Sequence, residues 1–356
     1  MDIMQFEGRK REHIKHALDP ANQATGLSGL DRIRLVHEAL PDFDFDETSL
    51  ESICLGHACV TPFYIAGMTA GCSDAPRINM VIARACLERG WAMGVGSQRR
   101  DLEEAVSSGD WLKQWRDFRD QVPQLTIFAN IGLTQLVDVD EKRLFKLVDA
   151  LSAQALVIHV NSLQEALQPE GTPYFHGAFE TLSRICRGMS GFGVPVVLKE
   201  TGCGFSLRTL QRVAELNLAA VDISGLGGTH WGRIEGARSQ AGSLRSRAAL
   251  TFADWGEPTV DSVLAAKTAL SGKRTEIWAS GGVRSGLDVA KLIALGSNCA
   301  GYAKPALEAA LSGQDQLREW MELQEFELKL ALFCSGHRTP TDLRSSKENV
   351  WTRKGI

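Results

Sequence analysis

The stretch ALVIHVNSLQEA, residues 155–166, decides how the chain folds. Leu156, Val157 and Ile158 form a short apolar, β-branched run of the kind buried in a parallel sheet. Polarity then arrives abruptly with His159, Asn161, Gln164 and Glu165, and QPEG follows at 168–171. Polar groups at the C-terminal end of a parallel strand sit on a rigid support, where β/α barrels carry their catalytic groups.

Other segments repeat this pattern. Strands are expected at 60–66, 91–95, 125–129, 155–161, 194–198, 219–223, 276–279 and 298–303. They run out into GMTAG, GSQR, AsnIleGly, NSLQE, KETGCG, SGLGGT, SGGVR and LysPro. Helical spacing of apolar residues lies between them at 79–89, 143–151, 179–186, 207–216, 260–270 and 287–295. Eight strand–helix alternations predict an α/β fold, a (β/α)8 TIM barrel. An open doubly wound sheet ranks lower, because polar loops follow almost every strand and no GxGxxG follows the first. The expected organisation is one domain over 1–356: an N-terminal arm to 55, a barrel core at 60–310, and a C-terminal helix and tail at 311–356. The best helix of the arm is expected near 27–39, and an acidic surface loop at 41–47. Insertions are expected at 167–178 and 229–256, the second as a mobile lid or a disordered loop.

Composition narrows the class. Net charge is −4 and pI about 6.1, unlike a binder of nucleic acid. No run reaches the roughly 18 apolar residues that cross a membrane, and the charged residues 1–16 carry no signal-peptide core. The eight cysteines form no CxxC pair. They read as reduced, mostly buried thiols of a cytoplasmic protein.

The strand ends suit a particular ligand. SGGVRSG (280–286) and GYAKP (301–305) each place glycines and a cation, Arg284 or Lys304, before a helix. Loops after strands seven and eight are where such barrels hold a phosphate. Lys199 ends strand five and suits the anionic edge of a reduced flavin. Asn130, Ser97, Ser224 and Thr229 offer neutral hydrogen bonds, and Gly67–Thr69 can lie against an aromatic ring. FMN, a planar ring plus one phosphate, fits this better than a dinucleotide. The basic run Arg9, Lys10, Arg11, His13 reads either as a solvated helix start or as an arm that grips a phosphate or diphosphate.

The blocks RKREHI (9–14), GMTAG (67–71), GSQR (96–99), HVNSLQE (159–165), QPEG (168–171), KETGCGFS (199–206), DISGLGGTHW (222–231), SGGVRSGLD (280–288) and GYAKP (301–305) resemble the type 2 isopentenyl diphosphate isomerases. The match runs from about residue 8 to about 305. It implies isomerisation of isopentenyl diphosphate to dimethylallyl diphosphate by an enzyme using FMN, Mg2+ and NADPH as flavin reductant. It also implies a homo-oligomer, a tetramer or octamer. By position, Arg9, Lys10 and His13 would bind the diphosphate, with Ser97 and Arg99 near flavin and substrate. Asn161 and Gln164 would line the substrate, His159 belongs to the same catalytic block, and Glu165 would hold Mg2+. FMN would be held by Ala66, Gly67, Met68, Thr69, Ser97, Asn130, Lys199, Ser224, Thr229, Gly282, Val283, Arg284, Ala303 and Lys304. Three positions depart from the family pattern: Ala70 stands for Gly, Thr172–Tyr174 replaces an acidic residue and Arg, and Lys304 replaces Arg. A rival is an FMN-dependent 2-hydroxy-acid oxidase, for which His230 and Arg233 lie in the right region.

Overall fold

The structure, a computed structural model, describes residues 3–70, 73–104 and 112–355, with side chains from residue 8 and none at 103 and 104. Gly71, which ends the small-residue loop, and Cys72 lie outside them.

Eight parallel strands close into a barrel in chain order: Phe63–Ile65, Ala92–Gly94, Ile127–Gly132, Ala155–Val160, Val196–Glu200, Ala220–Asp222, Glu276–Ala279 and Cys299–Tyr302. The period of two along each strand sorts side chains into two cores. Ala155 and Val157 join Tyr64, Phe128, Val197, Ala220 and Trp278 inside the barrel. Leu156 and Ile158 face outward into the apolar layer shared with the surrounding helices. That double burial is why these strands read as unbroken apolar runs.

The ends depart from expectation. Residues 27–39 form no α-helix. A 3-10 turn at Leu30–Arg32 leads into a strand, Ile33–Leu35, which pairs antiparallel with Trp351–Arg353. Gly29, at φ 80°, breaks the chain there, and Ile33 pairs with Arg353, 320 positions away in sequence and invisible to local periodicity. In the 41–47 stretch the acidic residues are exposed as expected, but Phe43 and Phe45 pack against Phe333, and its end folds into a 3-10 turn, Phe45–Glu47, closed by a capping box. The 229–256 insertion is neither lid nor disordered loop. It is two packed helices, Trp231–Arg238 and Leu244–Thr251. The C-terminal helix Gln314–Cys334 packs on its own barrel through Leu317, Met321, Leu328 and Leu332. Among the described residues no helix is long and apolar enough to cross a membrane. The seven described cysteines are free thiols; four are buried and Cys334 is exposed.

Candidate active site

The inward side chains at the C-terminal strand ends are polar: Asn130, His159, Lys199 and Asp222, with Ser280 just beyond the seventh strand. Register places Lys199 between His159 and Asp222. Asn130 donates from Nδ2 to the Val95 carbonyl (3.0 Å), so its Oδ1 accepts from His159 Nδ1 (2.8 Å). The His159 proton therefore sits on Nδ1 and Nε2 is an acceptor. Burial, and then the charges of Lys199 and Lys10, push this imidazole down to about 3. It is neutral at physiological pH. Lys199 donates to the Glu200 carbonyl (2.6 Å) and stands 3.9 Å from Asp222, whose other oxygen accepts from Ser280 (2.7 Å).

Above this layer opens a cavity of about 270 Å³. Its walls unite most of the expected flavin segments: Ala66–Thr69, Lys199, Ser224, Thr229, Gly282–Arg284, Ala303 and Lys304, with Lys10 and His13 from the arm. Asn130 lies one level lower, in a small chamber beside Lys199 and Asp222. Ser97, Gln164, Asn161, Glu165, Arg9 and Arg99 do not line the main cavity. A Cβ on Gly281 would lie 2.2 Å from the Gly225 carbonyl oxygen, and one on Gly282 2.5 Å from that of Gly227. Both glycines also have positive φ, 97° and 73°. The sixth and seventh strand-end loops thus meet backbone to backbone, and their main chain lines the hollow.

Several expected donors act differently from their residue type. Thr69 donates its hydroxyl to Asn79 Oδ1 (2.5 Å), and its carbonyl accepts from Asn79 Nδ2 (3.2 Å). Arg284 spends its guanidinium on Asp288 (2.9 Å) and Asp31 (2.7 Å), which hold its pKa above the usual arginine value, and its main-chain amide also donates to Asp288 (3.2 Å). Lys304 pairs with Glu308 at 2.8 Å.

The arm is the helix Ile3–Leu18, packed against the first insertion helix and the helix after the eighth strand. It is not a solvated face: Arg9 and His13 are 6% and 7% exposed. Burial, and then the neighbouring charge of Arg99, lower the Arg9 pKa. The carboxylates of Glu170 and Glu235 act on Arg9 in the opposite direction. His13 Nε2 donates to Glu235 Oε1 (2.9 Å), and Gln164 Nε2 donates to the same oxygen (3.2 Å). Arg238 donates to Glu235 Oε2 (2.5 Å). Burial pushes the Glu235 carboxyl up, but the bonds from His13 and the charge of Arg238 outweigh it, and the group stays ionised. Burial likewise keeps His13 neutral.

Asn161 caps the short helix Ser162–Leu167: Oδ1 accepts from Gln164 N (2.9 Å) and Nδ2 donates to the Thr201 carbonyl (2.8 Å). That cap aims Gln164 at the arm. Glu165, in the first helical turn, accepts the Thr172 amide on Oε2 (2.5 Å); no described residue hydrogen-bonds its Oε1. A hard divalent cation takes one or two carboxylates plus substrate oxygens, and Glu165 suits that part.

Sequence reasoning missed Glu235, together with Gln23, Thr25 and Ser28 of the cavity wall. Glu235 is the one acid in WGRIEGAR (231–238), inside the segment read as a lid. The rival pair is structural. His230 is fully buried, takes the Arg233 amide on Nδ1 (3.2 Å) and donates from Nε2 to the Trp255 carbonyl (3.0 Å). Arg233 binds the carbonyls of Ala253 and Gln23 and the Asp254 carboxylate. Neither lines the cavity.

A closed parallel barrel with glycine loops after its last strands and a packed N-terminal arm is the architecture of an FMN-type barrel enzyme. A family profile described as FMN-dependent dehydrogenase matches residues 176–351. Solved mandelate oxidases share the fold: one with (S)-mandelic acid superposes with a TM-score of 0.65 at 18% identity, covering 100% of this chain and 98% of the other. The chain belongs to the isopentenyl-diphosphate delta-isomerase family. It is 48% identical to the Legionella pneumophila (strain Corby) isopentenyl-diphosphate delta-isomerase over 96% of this chain and 98% of that protein. It is 35% identical to the one from Nostoc sp. over 97% and 96%.

Proposed function

We propose that the chain converts isopentenyl diphosphate to dimethylallyl diphosphate, with FMN held by the loops after the first, sixth, seventh and eighth strands and Mg2+ at Glu165. The supporting observation is the buried arm. It brings Lys10 and His13 to a glycine-walled cavity that Lys199 also lines.

The reaction adds a proton to the terminal alkene carbon and removes one from the allylic carbon. Reduced FMN, when bound, supplies proton exchange and an electron-rich surface beside developing positive charge. Arg9, Lys10 and Arg99 would hold the diphosphate, and Glu165 would hold Mg2+, which would supply positive charge to it. That remote grip turns binding energy into orientation of the five-carbon chain. Gln164, fixed between the Asn161 cap and Glu235, positions the reacting end. Neutral His159 keeps Asn130 turned toward the floor without adding a charge there. Lys199 offsets negative charge on the reduced ring. NADPH serves as the reductant.

The test is an anaerobic incubation with FMN, NADPH, Mg2+ and isopentenyl diphosphate, analysed for dimethylallyl diphosphate. Product that requires reduced flavin and Mg2+ is the expected result. Absence of product from a preparation with FMN bound refutes the reading.

A further inference from the structure

The floor of the barrel, at the opposite end of the strands, carries a second cluster. A two-strand hairpin, Ser52–Cys54 and His57–Cys59, lies beneath it. Its turn is Leu55–Gly56, both at positive φ (52° and 75°). Such two-residue turns favour Asn or Gly at the first position, so a leucine there is strained and must be held by its surroundings. Cys54 and Leu55 pack against the barrel's inner core. The Gly56 amide donates to Glu276 Oε1 (3.1 Å).

We propose that Cys54, Cys299 and Glu276, with Cys59 beside them, bind a thiophilic divalent cation of the zinc class. The two sulfurs and one Glu276 oxygen all lie within 4.8 Å of one another. Metal–sulfur bonds of about 2.3 Å set tetrahedral ligands roughly 3.8 Å apart, so the cluster has to contract by about 1 Å. Cys59 shares a hairpin face with Cys54, two places off in register, and feels the charge of both Cys54 and Glu276. The three clustered groups leave the fourth tetrahedral position to a water or to an inward movement of Cys59.

Two further observations point to a cation. Glu276 begins the seventh strand and Cys299 the eighth, so both ligands stand on rigid elements. Trp278 Nε1 donates to Glu276 Oε2 (2.9 Å), and with the Gly56 bond it fixes the carboxylate from both sides. Ligating carboxylates are characteristically oriented this way by an outer shell. Moreover, no basic side chain among the described residues pairs with Glu276. This carboxylate, beside the buried Cys299 and the half-buried Cys54, lacks a countercharge, and a divalent ion with deprotonated cysteines supplies one. Sulfur donors select zinc over magnesium, which separates this site from the metal expected at the mouth. Its role is to staple the hairpin to the barrel floor, the face that serves stability in this fold.

The test uses the full-length holoprotein. Purified without chelator, it should hold one equivalent of zinc per chain by elemental analysis. Titration of the metal-free protein with cobalt(II) should give thiolate-to-cobalt charge transfer and the intense d–d bands of a tetrahedral site. C54S/C299S should lose both, and E276Q should weaken cobalt binding at least tenfold while FMN stays bound. Metal removal should lower the thermal midpoint of the wild type. Wild-type protein without zinc and without the cobalt spectrum overturns the proposal, whether or not the variants fold. So does a disulfide among Cys54, Cys59 and Cys299 in the protein as isolated, or a cobalt spectrum that survives in C54S/C299S.

Discussion

Gln164 Nε2 lies 3.2 Å from Glu235 Oε1, and that oxygen also receives the His13 ring proton at 2.9 Å. One carboxylate therefore ties the N-terminal arm, the helix after strand four and the insertion after strand six. Glu235→Gln keeps the volume but exchanges a charged double acceptor for an amide, and Gln164 loses its fixed aim. Turnover should fall by about 10²-fold, with FMN binding unchanged. Glu235→Ala should in addition cost roughly 3 kcal/mol of stability, because Arg238 and His13 lose a buried partner. Steady-state kinetics, flavin titration and urea unfolding separate the two effects.

His159 should impose a pH dependence on stability. Its folded pKa is depressed to about 3, whereas a free imidazole titrates near 6.5. Between those values the unfolded chain binds the extra proton. Its contribution to stability is therefore complete above about pH 6.5 and is lost as pH falls toward 3. Denaturant midpoints against pH should show this slope in the wild type and a shallower one in His159→Gln.

His230→Ala distinguishes the isomerase reading from the oxidase one. The Trp255 carbonyl and Arg233 amide lose their partner, at a cost of about 1–3 kcal/mol concentrated in the 229–256 insertion. Hydrogen exchange should rise there first. Isomerase turnover per folded, FMN-loaded enzyme should stay within a few-fold, and oxidation of a 2-hydroxy acid should be absent in variant and wild type alike.

Gly282→Ala tests the cofactor wall. The methyl would meet the Gly227 carbonyl 2.5 Å away, at a φ of 73° that alanine resists. The loops after strands six and seven must part, and FMN affinity should drop at least about tenfold, read by fluorescence titration.

How much of this was legible differs by element. All eight barrel strands could be placed, because a strand buried on both faces writes an apolar run into the chain. The glycine loops were legible for a similar reason: a close backbone approach excludes a side chain. The misreadings share a cause. The 33–35 strand depends on residues 351–353, and its apolar spacing alone resembles a helix. The 229–256 segment lacks a strong apolar face, so it looked like a lid. Its order comes from His230, Arg233 and Glu235, polar residues satisfied by distant partners.

Within the site, residue type set what each side chain could offer and tertiary contacts set what it does offer. Arg284 and Thr69 stand where a cofactor site was expected, but Asp31 and Asn79 take their side chains. The sequence by itself determined the barrel, its strand order and the segments that meet at its mouth, since these follow from periodicity and glycine placement along the chain. Only the tertiary structure decided that Arg9 and His13 are buried, that Glu235 joins them to Gln164, and that Cys54 meets Cys299. Those pairings join residues tens to hundreds of positions apart, and no local pattern encodes which polar group will satisfy which.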